Sequence, residues 1–116
     1  MPYPITLFLL LVFFHVLADY PLQGDFLAKG KNHLAPITGI PWYHCLTAHA
    51  IVHAGFVGLA MNSVEFAIME FSAHWVIDFC KSDKVFGNRP HLAYNIDQAM
   101  HIVCKLIWVI LWYWYK

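Results

Sequence analysis

Long apolar runs, interrupted at regular intervals by single histidines and carboxylates, dominate this chain. No Asp, Glu, Lys or Arg occurs in residues 1–18, 33–64, 71–77 or 106–115. Polar residues, Gly and Pro gather instead in 21–43 and 82–95. The alternation predicts four apolar helices, over about 4–20, 42–61, 64–81 and 96–115. Pro4 suits a first turn, where its missing N–H would be unpaired anyway, and Pro21 ends or kinks the first helix. Asn62-Ser63 is short enough to make the second and third helices an antiparallel hairpin. Ala50, Ala54 and Gly58 recur every four residues, a small-residue stripe that lets a neighbouring helix approach closely. The stretch 21–43 is expected to be a long interfacial loop, lying against a membrane through Leu22, Phe26, Leu27, Leu34 and Ile37.

Composition turns this pattern toward a membrane. Residues are 60% hydrophobic and only 12% charged, against roughly 25% charged in an average soluble domain. The last run, LIWVILWYWY, is apolar on every face and cannot hide all its sides in a globule of 116 residues. The expected fold is therefore all-α: a single domain over 1–116, a polytopic four-transmembrane-helix bundle. The first run lacks a basic start and a convincing cleavage site, so it is read as a retained span. Lys29, Lys31, Lys84 and Arg89, with Lys81 at their edge, lie in the two long connections, while the other side carries only Lys116. Positive charge favours the cytoplasm, so both termini are expected outside it. Tyr3, Trp112, Tyr113, Trp114 and Tyr115 suit one interfacial belt, and Tyr20, Trp42, Tyr43 and Tyr94 the other. A net charge of zero, with no basic stripe, argues against nucleic acid as a partner. The three scattered cysteines, Cys45, Cys80 and Cys104, read as packing residues, not a disulfide or thiolate site.

The polar interruptions come in pairs. His15/Asp19, His49/His53, His74/Asp78 and Asp97/His101 each stand four apart, on one helical face. In an up-down-up-down bundle all four pairs fall at the cytoplasmic end. Histidine and carboxylate converging from facing helices are how bundle-core metal sites are built. Five His and three Asp exceed the needs of one tetrahedral ion, so two divalent ions would use them all. Imidazole with carboxylate suits Zn²⁺ first, with Mn²⁺ or Fe²⁺ as alternatives. The competing reading is a metal-free network of Asp–His and Asp–Lys bonds. Against it stands the cost of an Asp at a helix centre, about 2.5–3.5 kcal/mol on insertion scales.

Other signals are weaker. His49-Ala-Ile-Val-His53 has the two-histidine spacing of a zincin helix, but Ala50 stands where that chemistry needs a Glu. No nucleophile elbow or phosphate loop occurs. Glu70, four before His74, reads as a near-interface or network residue. Lys105, four after His101, is expected to snorkel or to pair with an Asp. His33, His44 and His91 carry no expected role.

The motifs His15-Val-Leu-Ala-Asp19-Tyr-Pro-Leu-Gln23, His49-Ala-Ile-Val-His53, Ala73-His74-Trp-Val-Ile-Asp78-Phe-Cys-Lys81 and Asp97-Gln98-Ala-Met-His101 together resemble the domain of unknown function 3307 family. The resemblance implies a small bacterial or phage inner-membrane protein, and more distantly a membrane-bound metal-dependent hydrolase. It implies no known reaction.

Two functions follow. In the first, the protein is an intramembrane metal-dependent hydrolase. His15, Asp19, His49, His53, His74, Asp78, Asp97 and His101 are its candidate ligands, with the three Asp also candidate bases. Lys81, helped by Lys84 or Arg89, would hold an anionic group such as a phosphate, and Gln23 and Gln98 would orient substrate or ligands. A lipid or lipid-linked phosphate is the expected substrate. In the second, the chain is a non-enzymatic membrane effector that binds a host membrane protein, with the His/Asp cluster structural. Ion or proton conduction along that cluster is a third class, which such short helices would serve best as a homo-oligomer.

Overall fold

The computed structural model describes residues 3–115. Five helices follow one another: α1 (Pro4–Asp19), α2 (Gly24–Gly30), α3 (Trp42–Met61), α4 (Val64–Ser82) and α5 (Pro90–Tyr115). The all-α expectation holds. Pro4 opens α1, and the helix closes where Tyr20 N–H donates to Val16 O at 3.0 Å.

The stretch 21–43 is not wholly a loop. Gly24, at φ +68°, turns the chain into α2, whose axis lies at 86° to α1. A seven-residue helix between two glycines is too short to show a period, which is why the pattern did not reveal it. Gly30 is what lets α2 sit down on α3. A Cβ there would lie 2.5 Å from Cys45 Sγ.

The α3–α4 connection is the expected tight turn. Asn62 ends α3 in the left-handed region at φ 49°, a conformation Asn tolerates better than most residues. Ser63 then caps α4, its Oγ accepting Phe66 N–H at 3.3 Å and donating to Glu65 Oε2 at 2.8 Å. Gly58 sets the distance between the two helices, since a Cβ on it would meet Ala67 Cβ at 2.9 Å. The final helix starts at Pro90, six residues before the sequence suggested. Pro serves as its first-turn residue and Ala93 N–H bonds Arg89 O at 2.9 Å.

The four long helices close into a ring. α1 packs on α3 and α5, α4 packs on α3 and α5, and α2 lies outside against α3. One end of the ring is filled by Leu7, Leu11, Val57, Met61, Phe66, Trp108 and Val109. The outer surface is apolar as well: Ile5, Leu9, Phe13, Ile51, Leu59, Ile68, Val76, Val103, Leu106 and Ile110 are all exposed. Large apolar side chains displayed around the whole girth suit a lipid solvent, so the protein is membrane-associated. By length and composition α3 and α5 can each cross a membrane, and α1 with α2 would make a third span if the bent pair counts as one. That is two or three where the sequence led us to expect four. The shortfall lies in α4, which carries Glu65, Glu70, Asp78 and Lys81, and in the 16-residue α1. Lys116, used above to orient the chain, is outside the described residues.

Candidate metal centre

The inward stripe of each long helix changes from apolar to polar at the same level. Leu7 and Leu11 lead to His15 and Asp19 on α1. Met61 and Val57 lead to His53 and His49 on α3, and Phe66 leads to Glu70, His74 and Asp78 on α4. On α5 the order is Val109, Lys105, His101, Asp97. A spacing of four keeps every member on one face. The ring brings all four predicted pairs into one nest, in which each of the five histidines is almost wholly buried.

Two groups of donors emerge. Asp19, His49, His53 and His74 each offer an atom within 4.8 Å of the others, and so do His74, Asp78 and His101. Asp19 Oδ1 accepts from His49 Nε2 at 3.1 Å and from His53 Nε2 at 2.8 Å. Asp78 Oδ1 accepts from His101 Nε2 at 3.0 Å, and its Oδ2 lies 3.5 Å from His49 Nε2. Asp97 stands against His101 at 3.3 Å. His15 donates through Nε2 to Gln98 Oε1 at 2.9 Å and lies 3.3 Å from Asp19 Oδ2. His53, His74 and His101 stack in a column, with centroids 3.7 and 4.1 Å apart.

His74 is the hinge of the arrangement, because it belongs to both groups. Its Nδ1 lies 3.1 Å from Glu70 Oε2, so Nδ1–H donates to that carboxylate. Its Nε2 is buried and faces the cluster, with Asp78 Oδ2 3.3 Å away. A carboxylate behind a histidine whose outer nitrogen faces a donor cluster is the arrangement that orients metal-ligating imidazoles. Glu70 is itself held by Lys105 Nζ at 2.7 Å and Trp108 Nε1 at 2.9 Å, both donating to Oε1. The expected snorkelling of Lys105, or its pairing with an Asp, is thereby overturned. The side chain is 1% exposed and its partner is Glu70. Trp108, buried one turn further along α5, shares the same acceptor.

The two glutamines differ in what they reach. Gln98 Nε2 donates to Asp19 Oδ2 at 2.9 Å and to Asp97 Oδ2 at 3.1 Å. Gln23 donates to the Asp19 backbone carbonyl at 2.9 Å and touches no side chain of the nest directly. Lys81 Nζ lies 3.8 Å from Asp97 Oδ2 and 5.2 Å from the Tyr94 ring centroid. Lys84 stands in the turn after α4. Arg89 does not join them. It lines a separate hollow with Asn88, His91 and Asn95, because the early start of α5 carries it away from the nest.

One residue the sequence reading missed is Lys31, whose Nζ donates to Asp78 Oδ2 at 2.9 Å. It lies 47 residues from its partner, beyond α2, and no spacing rule could pair them. His33, given no role from sequence, bonds Asp83 Oδ1 at 2.9 Å and stacks on Phe79 at 4.4 Å. His44 and His91 are exposed, and the three cysteines are free thiols.

Residues 7–116 match the family described as Protein of unknown function (DUF3307). The chain belongs to that family. No curated protein and no solved structure matches it. The distant likeness to metal-dependent hydrolases therefore gains no support from relatives, and any function rests on the site itself.

Proposed function

We propose that the protein is a membrane-embedded, metal-dependent hydrolase whose ion sits in the His/Asp nest. The observation that carries this reading is His74. A buried imidazole nitrogen, on a ring held from behind by Glu70, faces the point where two donor groups meet. Asp19, His49, His53 and His74 would hold one ion with three nitrogens and one oxygen, a donor set that suits Zn²⁺ and also accepts Mn²⁺ or Fe²⁺. His101, Asp78 and Asp97 would hold a second. His74 turns one nitrogen toward the cluster and can serve only one of the two. A divalent ion there supplies a Lewis acid and brings the pKa of water toward neutrality. Asp19, Asp78 and Asp97 are the residues able to take up the proton, Gln98 keeps two of them aligned, and the substrate is a lipid or phosphate-containing molecule.

The four-span bundle in a bacterial inner membrane belongs to the same proposal. The charges that set α4 apart from its neighbours are internal: Glu70 and Asp78 are buried, while Ile68 and Val76 face outward. Glu65 and Lys81 lie in its end turns. Lys31, Lys81 and Lys84 gather at the polar end, which supports a cytoplasmic assignment of that end and external termini.

The test is elemental analysis of detergent-purified protein. Stoichiometric zinc or manganese is expected in the wild type and its loss in His74→Ala. A folded wild type without metal would sink the proposal. The hydrogen bonds that already join Asp19 to His49 and His53, and Asp78 to His101 and Lys31, favour a second reading. In it the nest is a structural network in an effector that binds a host membrane protein. Alanine at the pairs would then spare function whenever folding survives.

A further inference from the structure

Beside the nest, a hollow of about 200 Å³ opens to the surface, lined by Lys31, Asn32, Asp78, Lys81, Ser82 and Lys84. Three ammonium groups and two neutral polar side chains face one buried carboxylate. We infer that this hollow is a phosphate-binding subsite, switched on when the nest takes up its metal. The inference rests on the metal reading above and adds the class of ligand, a terminal phosphate group, and its coupling to the ion.

Charge balance carries the argument. Without metal, Lys31 is the counter-charge of Asp78 at 2.9 Å, and Lys81 stands 3.8 Å from Asp97. Both carboxylates are candidate ligands. A divalent ion that takes them replaces the lysines as their counter-charge, and the ammonium groups are left on the rim, half-solvated and without an anion. Lys31 is 13% exposed and Lys81 35%, so both can turn outward without leaving the hollow. Lys84 is already held there, in a left-handed backbone conformation at φ +61° that is rare for a long side chain. Asn32 Oδ1 accepts Leu34 N–H at 3.0 Å, which leaves its side-chain N–H groups as the donors it offers. A phosphate dianion meets these demands, as three point charges and two hydrogen-bonding groups suit its three terminal oxygens.

Because the same lysines answer to metal-bound and metal-free carboxylates, metal and phosphate must raise one another's affinity by the same factor. Equilibrium dialysis of the full-length protein in detergent with radiolabelled inorganic phosphate, with and without Zn²⁺, reads this directly. Zinc should tighten phosphate binding about tenfold or more. Lys31→Gln should keep its zinc and lose that gain, and Lys84→Gln should weaken phosphate binding with or without zinc. Lys84 is exposed, so its variant folds even if the other does not. Equal phosphate affinity with and without bound zinc, or unchanged phosphate binding in Lys84→Gln, overturns the subsite and leaves the metal reading standing. A wild type that binds no zinc overturns both, and elemental analysis reports that outcome separately. Nanodiscs decide the source of the phosphate. Competition by phosphatidic acid but not phosphatidylcholine assigns a lipid headgroup, and competition by neither assigns a free phosphate.

Discussion

The two ends of this bundle are built from the same helices, at the same spacing, with opposite chemistry. At one end Leu7, Leu11, Val57, Met61, Phe66, Trp108 and Val109 fill the ring. At the other, five histidines and three aspartates occupy the equivalent inward positions. In lipid the apolar end gains little from excluding water, and its cohesion comes from close packing, helped by Gly58 against Ala67. The polar end cannot be justified that way. Each of its groups costs desolvation that its partners must return. The contrast separates residues that make the bundle from the polar residues it encloses. Glu70 and Lys105 mark the boundary, one layer in from the histidines.

That boundary should give the largest effect. Lys105→Met leaves the Glu70 carboxylate buried with one donor fewer and should cost about 3–5 kcal/mol, the usual penalty for half a buried ion pair. Adding Glu70→Leu removes the stranded charge and should recover much of the loss. The double variant should nonetheless bind metal poorly, because nothing then orients the His74 ring. Thermal melts and elemental analysis on the same samples would separate the two effects. A double variant with full metal content would remove Glu70 from the site.

The apolar end offers the control. Met61→Ala opens a cavity among Leu7, Leu11 and Val57 and should cost about 2–5 kcal/mol. Its metal content, measured in the fraction that stays folded, should match the wild type. Should metal be lost in step with stability, the two ends are one cooperative unit and the comparison collapses.

Gln98 sharpens the polar end without breaking it. Gln98→Leu removes the amide that spans Asp19 and Asp97 and the acceptor for His15. Metal affinity should fall about 10–100-fold, as for other residues that orient ligands, while helix content is unchanged. An affinity equal to wild type would show that the aspartates need no such alignment.

Much of this division could be read in the sequence, and the limits of that reading have physical causes. Pairs four apart share a helical face whatever the tertiary structure does, so His15/Asp19, His49/His53, His74/Asp78 and Asp97/His101 were visible at once. The bounds of α3 were legible because Trp42 follows Pro41 and Asn62 follows the last apolar residue. Glu70 and Lys105 extend two of the same stripes by one step. That step was the available signal, and hydropathy pointed the other way because a lysine in an apolar run usually seeks water. Lys31 and the exclusion of Arg89 were not legible. Both depend on where a connection leads after α2 and before α5, and a connection has no period.

The smallest expected effect tests whether that connection is itself positioned. His33 bonds Asp83 across the end of α4 and stacks on Phe79, two residues after Lys31. Asp83 is 46% exposed, so its pair with His33 should be worth less than about 1 kcal/mol. Asp83→Ala should leave melting and metal content almost unchanged. His33→Ala loses the ring stack as well, worth about 0.5–1.5 kcal/mol, and should be the more costly of the two. If the stack anchors the connection, His33→Ala should also weaken phosphate binding by letting Lys31 drift from the hollow, while Asp83→Ala should not. Equal phosphate binding in both variants would mean that Gly30 against Cys45, and not the histidine, fixes Lys31 beside Asp78.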